Sequence, residues 1–118
     1  MKQRVKTVSY LAKAEFDIKN GSYDLCALPS GAEVVKCVLE VVGEVTTAKA
    51  SVGFTDEERV NFFLDEINLG ESRYNTSAKC YTALDTKVIS AKINNASGNA
   101  KGVLRVLYFL PSETEVEY

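Results

Sequence analysis

The stretch CALPSGAEVVKCVLEVVGE, residues 26–44, decides between helix and strand for this chain. Pro29, Ser30 and Gly31 are turn residues that interrupt an apolar run. Beyond them, Val35, Cys37, Leu39 and Val41 fall on one side of an extended backbone, with Lys36 and Glu40 on the other. Alternation of period two, rich in β-branched residues, suits a strand with one covered face. Wound as a helix, the same valines would be scattered around its circumference. The stretch reads as strand, turn, strand.

Upstream, DIKNGSYDL (17–25) carries Asn20-Gly21, the dipeptide that best fits a type I′ hairpin turn. Centring the turn there predicts Lys19 opposite Ser22, Ile18 opposite Tyr23 and Phe16 opposite Leu25. The same register sets Asp17 opposite Asp24, a like-charge pair that needs solvent or a nearby lysine; two carboxylates are too few for a calcium site. Downstream, KASVGF (49–54) is a further short strand. In TDEERVNFFLDEINLG (55–70), Thr55 and Glu58 form a capping box, and Val60, Phe63, Leu64 and Ile67 keep helical spacing. The spacing predicts one short helix near residues 56–67. A helical turn at 56–59 followed by a strand at 62–64 is the competing reading.

The last third returns to strands. AKCYTAL (78–84) and KVISAKI (87–93) flank a tight connection at Asp85-Thr86, and NNASGNAKG (94–102) is a polar loop. In VLRVLYFL (103–110), Leu104, Val106, Tyr108 and Leu110 share one face, and Val103, Arg105, Leu107 and Phe109 share the other. Both faces are largely apolar, as in a central strand or one covered by another subunit. Val103, Arg105, Leu107 and Phe109 are therefore the candidate self-association face. The expected fold class is all-β: an antiparallel β-sandwich or jelly roll of about seven or eight short strands, plus the helix near 56–67.

At 118 residues the chain suits one domain, expected over 1–118. Its ends, 1–4 and 112–118, read as flexible tails. Lys2, Arg4 and Lys6 open it and Glu113, Glu115 and Glu117 close it, so in an assembly the two ends could reach neighbouring subunits. A net charge of −2 gives no reason to expect nucleic acid as a partner. No apolar run is long enough to span a membrane, and the first residues do not resemble a secretory signal.

The chain has no histidine, which removes Ser-His-Asp and Cys-His catalysis and His-based metal centres. Cys26, Cys37 and Cys80 form no CxxC and read as small reduced residues. The carboxylate pairs Glu57-Glu58 and Asp65-Glu66 lie in charged stretches that suit solvent. No enzyme activity and no cofactor is expected, and a small-molecule ligand is not favoured.

GSYDLCALPSGAEVVKCVLEV, ASVGF and KVISAKINNASGNAKGVLRVLYFL together resemble small virion structural β-sandwich proteins of tailed phages and prophages, head- or tail-associated. The matching residues are Tyr23, Asp24, Leu25, Leu28, Pro29, Gly31, Ala32 and Val34, then Val52-Gly53, then Gly102, Val106 and Tyr108. The resemblance covers residues 21–110; the cysteines and the helix near 56–67 depart from it. It implies a structural or accessory role in a virion, carried by many copies as a homo-oligomer among other virion proteins, and it brings no catalytic residues. A carbohydrate- or surface-binding module, using the 94–102 loop and nearby tyrosines, is the alternative.

Overall fold

Eleven strands and no helix are found among the described residues, 2–45, 47–55, 59–111 and 113–117, of the computed structural model. In chain order they are β1 (Lys2–Lys6), β2 (Ser9–Asp17), β3 (Gly21–Leu28), β4 (Glu33–Val42), β5 (Lys49–Phe54) and β6 (Leu64–Asn68). There follow β7 (Tyr74–Ser77), β8 (Tyr81–Thr82), β9 (Lys87–Asn94), β10 (Lys101–Phe109) and β11 (Glu113–Glu117). Two antiparallel layers face each other. One has the order β2-β10-β4-β7, with β8 also on β4; the other has the order β3-β9-β5-β6. Successive strands mostly change layer, which is the wiring of a jelly roll. The expected all-β sandwich is the fold.

The core lies between the layers. Ile18, Leu28, Val34, Cys37, Leu39, Val52, Phe54, Ile89, Ile93, Leu104 and Val106 are almost completely buried there. Period-two alternation delivers them: in β9 Ile89, Ala91 and Ile93 point inward, and in β10 Leu104, Val106 and Tyr108 do. In β4, an irregularity opposite Leu107 and Tyr108 shifts the register, so Val34 rather than Val35 joins Cys37, Leu39 and Val41 in the core. No buried side-chain nitrogen or oxygen among the described residues lacks a partner.

Two expectations are corrected. Asn20-Gly21 is not a hairpin turn: β2 pairs with β10 and β3 pairs with β9, so the segment is a corner between layers. Gly21 does take a positive φ of 140°, as the dipeptide suggests. The corner is fixed by Ile18, 1% exposed between the layers, and by Asn20 Oδ1, which accepts a bond from the Ala96 amide at 2.9 Å. Phe16 and Tyr23 meet across the corner as tilted rings 5.2 Å apart, in place of the expected Phe16–Leu25 and Ile18–Tyr23 cross-strand pairs. Asp17 consequently faces Lys101, 3.7 Å away, and Asp24 accepts a bond from the Thr55 hydroxyl.

The helix near 56–67 is also absent among the described residues. Residues 56–58, which include the Glu58 of the capping box, lie outside them. Residues 59–63 form a turn laid on β5, and β6 begins at Leu64. The Phe54 amide donates to the Arg59 carbonyl at 2.8 Å, and the Phe63 amide donates to the Val52 carbonyl at 2.8 Å. The turn fits because Gly53 has no side chain: a Cβ there would lie 2.1 Å from the Arg59 carbonyl oxygen. Of the competing reading, the helical turn at 56–59 lies largely outside the described residues, and the strand begins at Leu64 instead of residue 62.

The charged ends, expected as tails, pair with each other as an antiparallel ribbon, β1 with β11. The ribbon continues the line of β2 and β10, linked by a bond from the Leu110 amide to the Val8 carbonyl at 2.8 Å. The molecule measures 54 × 25 × 19 Å. The ten residues of β4 extend over ~33 Å, and the ribbon is a two-stranded sheet separate from both layers.

Candidate interaction face

β10 is the centre of its layer, hydrogen-bonded to β2 on one side and β4 on the other. Its inward residues fill the core, so Val103, Arg105, Leu107 and Phe109 stand on the outer face, as the alternation requires. Register sets Leu107 between Leu11 and Lys36, Arg105 between Lys13 and Val38, and Val103 between Glu15 and Glu40. β7 adds Tyr74 beside Glu40. The face thus mixes apolar Leu11, Val38, Val42, Tyr74, Val103, Leu107 and Phe109 with charged Lys13, Glu15, Lys36, Glu40, Lys101 and Arg105.

Exposure differs along it. Leu11 is 59% exposed and Tyr74 60%, whereas Val103 is only 6% exposed although it lies outside the core cluster. Long neighbours cover Val103. Arg105 Nη1 donates to Glu40 Oε1 at 2.7 Å, and this ion pair is itself substantially covered. Charge-assisted pairs of this kind hold their side chains in place better than fully solvated ones. The middle of the face is therefore fixed, and its margins at Leu11 and Tyr74 are free to meet something.

The outer face of the opposite layer is different. Register and alternation place Ser22, Asp24, Ala27, Lys49, Ser51, Gly53, Val88, Ser90, Lys92 and Asn94 there, and all but Val88 are small or polar. Above them runs an open groove of about 520 Å³ lined in part by Asn20, Lys49, Glu66, Lys92 and Asn95, with no aromatic ring.

The structure does not gather the other candidate residues into a site. The 94–102 loop is bound back onto the sandwich: Lys19 Nζ donates to the Gly98 carbonyl at 3.0 Å and the Thr47 hydroxyl to the Asn95 carbonyl at 3.2 Å. Tyr23 lies tilted against Phe16, Tyr108 meets Tyr10 edge to face, and Tyr74 lies on the opposite layer, so among the described residues no tyrosine platform forms beside the loop. Cys26 and Cys37 are buried, and burial pushes their thiols up to about 11 and about 12 respectively; Cys80 is exposed. Among the described residues no three cysteine or carboxylate side chains come together as metal ligands. Sequence reasoning missed an aromatic plug at one end of the core, where Phe54, Phe62, Phe63 and Tyr81 pack and Arg59 lies 5.8 Å from the Tyr81 ring centre. The three consecutive bulky residues 62–64 were its one visible signal.

The chain is a jelly roll whose β2-β10-β4-β7 layer shows large apolar side chains at its margins. The chain is 58% identical to a chain in the acid-stable capsid structure of Helicobacter pylori bacteriophage KHP30, covering 100% of both chains with a TM-score of 0.91. It belongs to that family of phage virion structural proteins, and its place is the virion. The fold recurs in a chain of the cyanophage Pam1 capsid (TM-score 0.73, 19% identity, 87% of this chain and 85% of that one). It recurs also in the capsid of Ralstonia phage GP4 (TM-score 0.66, 16% identity, 91% and 87%). No protein-family model and no curated protein matches the chain.

Proposed function

We propose that this protein is a non-enzymatic accessory subunit of a phage capsid, which self-associates and docks on the shell through the outer face of the β2-β10-β4-β7 layer. On this reading Val103 and the Arg105–Glu40 pair form the rigid centre of the contact, and Leu107, Phe109, Leu11 and Tyr74 supply the apolar area. The observation that carries the reading is the contrast between the two outer faces. One layer shows the solvent Ser22, Asp24, lysines and Asn94; the other shows it, among its charges, the large apolar side chains of Leu11, Val42 and Tyr74. A sheet face of the second kind is the kind that another surface covers. Many copies on a symmetric lattice bind strongly even when each contact is weak. The relative in the KHP30 capsid structure supports a capsid over a tail position.

The test is sedimentation of the purified chain beside a Leu11→Glu, Leu107→Glu variant. The wild type is expected to form a defined oligomer, and the variant to fall to monomer with an unchanged β-sheet circular dichroism spectrum. A variant that folds and assembles like the wild type would remove this face from the contact.

A further inference from the structure

Two open depressions on the outer face of the β3-β9-β5-β6 layer, each of about 520 Å³, meet at Lys49 and Asn95. One takes in Asn20, Glu66 and Lys92, and the other takes in Asn68. Together they form one groove, larger than a single inorganic anion needs. Asn94 and Asn95 of the polar loop border it, but no aromatic ring does.

The groove is rich in unused donors. Register sets Lys49 opposite Asn94 and Lys92 opposite Ser51, so the two lysines are diagonal neighbours about 7–8 Å apart. Neither ammonium has a hydrogen bond or an ion pair among the described residues. Asn20 Oδ1 accepts from the Ala96 amide and Asn68 Oδ1 from the Gly70 amide, both at 2.9 Å. A backbone amide only donates, so in each asparagine the oxygen is engaged and the NH2 group is left over. Nearby hydroxyls are already in use: Thr47 donates to the Asn95 carbonyl, and Ser51 accepts from the Glu66 amide. The Glu66 carboxylate is the charged acceptor of the groove, and it too has no partner among the described residues.

The backbone supplies a second, independent sign. Among the described residues, Glu66 (φ 42°) and Asn95 (φ 55°) are the two non-glycine residues with positive φ, and both line this groove. Asparagine tolerates that conformation; glutamate adopts it at a cost. Neighbouring lysines without a counter-charge also work against the fold. Strain of this kind gathers where a ligand is held.

We propose that the groove binds an acidic saccharide. An acid group of the sugar lies between Lys49 and Lys92, sugar oxygens accept from the Asn20 and Asn68 amides, and a sugar hydroxyl donates to Glu66. Bonds to the charged groups supply most of the affinity. A nucleic acid strand would find no ring on which to stack its bases. A neutral sugar would leave the two ammoniums without a counter-charge. The site lies on the layer opposite the proposed contact face, and neither reading rests on the other.

The test is a glycan array of uronic, sialic, sulfated and phosphorylated saccharides beside their neutral counterparts, probed with the full chain. Each acidic member that binds is then titrated in solution, as an oligosaccharide and as the free sugar acid. The wild type is expected to bind acidic members and to ignore the neutral ones. A Lys49→Gln, Lys92→Gln variant is expected to bind at least about tenfold more weakly. An Arg59→Gln, Lys79→Gln variant, which removes the same charge outside the groove, is expected to bind like the wild type. Preference for the oligosaccharide assigns the groove to a polysaccharide, and equal binding assigns it to the free sugar acid. No binding to any acidic member overturns the site. So does equal binding of the neutral counterparts, or an equal loss in both double variants, which marks attraction by charge alone. All three results leave self-association standing.

Discussion

Two glycines show how a single missing side chain shapes this fold. At Gly102 a Cβ would come within 2.5 Å of the Phe16 ring, which lies across β10 as the cross-strand neighbour. At Gly53 it would strike the backbone of residues 59–62. A ring can rotate away; a main-chain turn tied to β5 by hydrogen bonds cannot do so without losing them. Gly102→Ala is expected to cost about 1–3 kcal/mol, the usual range for overpacking. Gly53→Ala is expected to cost more than Gly102→Ala and to disturb the aromatic plug. Urea denaturation of the two variants gives the ranking, and equal or reversed costs would contradict it. Both residues were visible in the sequence only as a resemblance to virion proteins. Their physical reason, a close approach by chain far away in the sequence, requires the fold.

At the scale of elements, strands were easier to read than their partners. β4, β5, β9 and β10 were legible because alternation is a local property that burial of one face enforces. Asn20-Gly21 announces a positive φ but cannot say whether the chain returns along the same layer or crosses to the other. The helical spacing of Val60, Phe63, Leu64 and Ile67 was coincidental. Phe63 and Leu64 are buried through a turn and a strand, while Phe62 packs on Phe54 and Tyr81. The outer face of β10 was legible in one strand, but Leu11, Val38 and Tyr74 joined it only through lateral pairing. Phe62→Ala is expected to destabilise the protein by about 2–4 kcal/mol, somewhat below the usual cost for a fully buried phenylalanine. It should leave the oligomer mass unchanged, since the plug lies within the sandwich and not on the proposed contact face. A change in oligomer mass at intact fold would bring the plug into the interface.

For the whole molecule, composition sets the pH response. With no histidine, no side chain has an ordinary pKa that places its charge change between about pH 5 and 8. Stability is expected to be nearly flat across that window. Above it, the buried thiols matter. Their folded pKa values, about 11 for Cys26 and about 12 for Cys37, lie above the ordinary 9.0, so the unfolded chain releases protons that the folded chain keeps. Stability present below about pH 9 is therefore lost as pH rises through about 11 to 12. Tyr108, raised by burial, adds in the same direction. Urea midpoints across pH 5–11 should show a plateau and then a decline, with a shallower decline in a Cys26→Ala, Cys37→Ala variant. A slope unchanged by that variant would show that the thiols are not its source.

The position of β10 between β2 and β4 has a consequence for synthesis. Residue 9 must meet residue 109 before the first layer exists, and β2 and β4 have no neighbour to join them until the ribosome has released nearly the whole chain. Such wiring folds in milliseconds to seconds rather than microseconds. A nascent chain halted before residue 101 leaves a gap between β2 and β4, with the facing backbone edges of both strands unpaired and the centre of the layer missing. Premature termination there should give insoluble protein, so the particle is supplied only with subunits whose translation has run past β10.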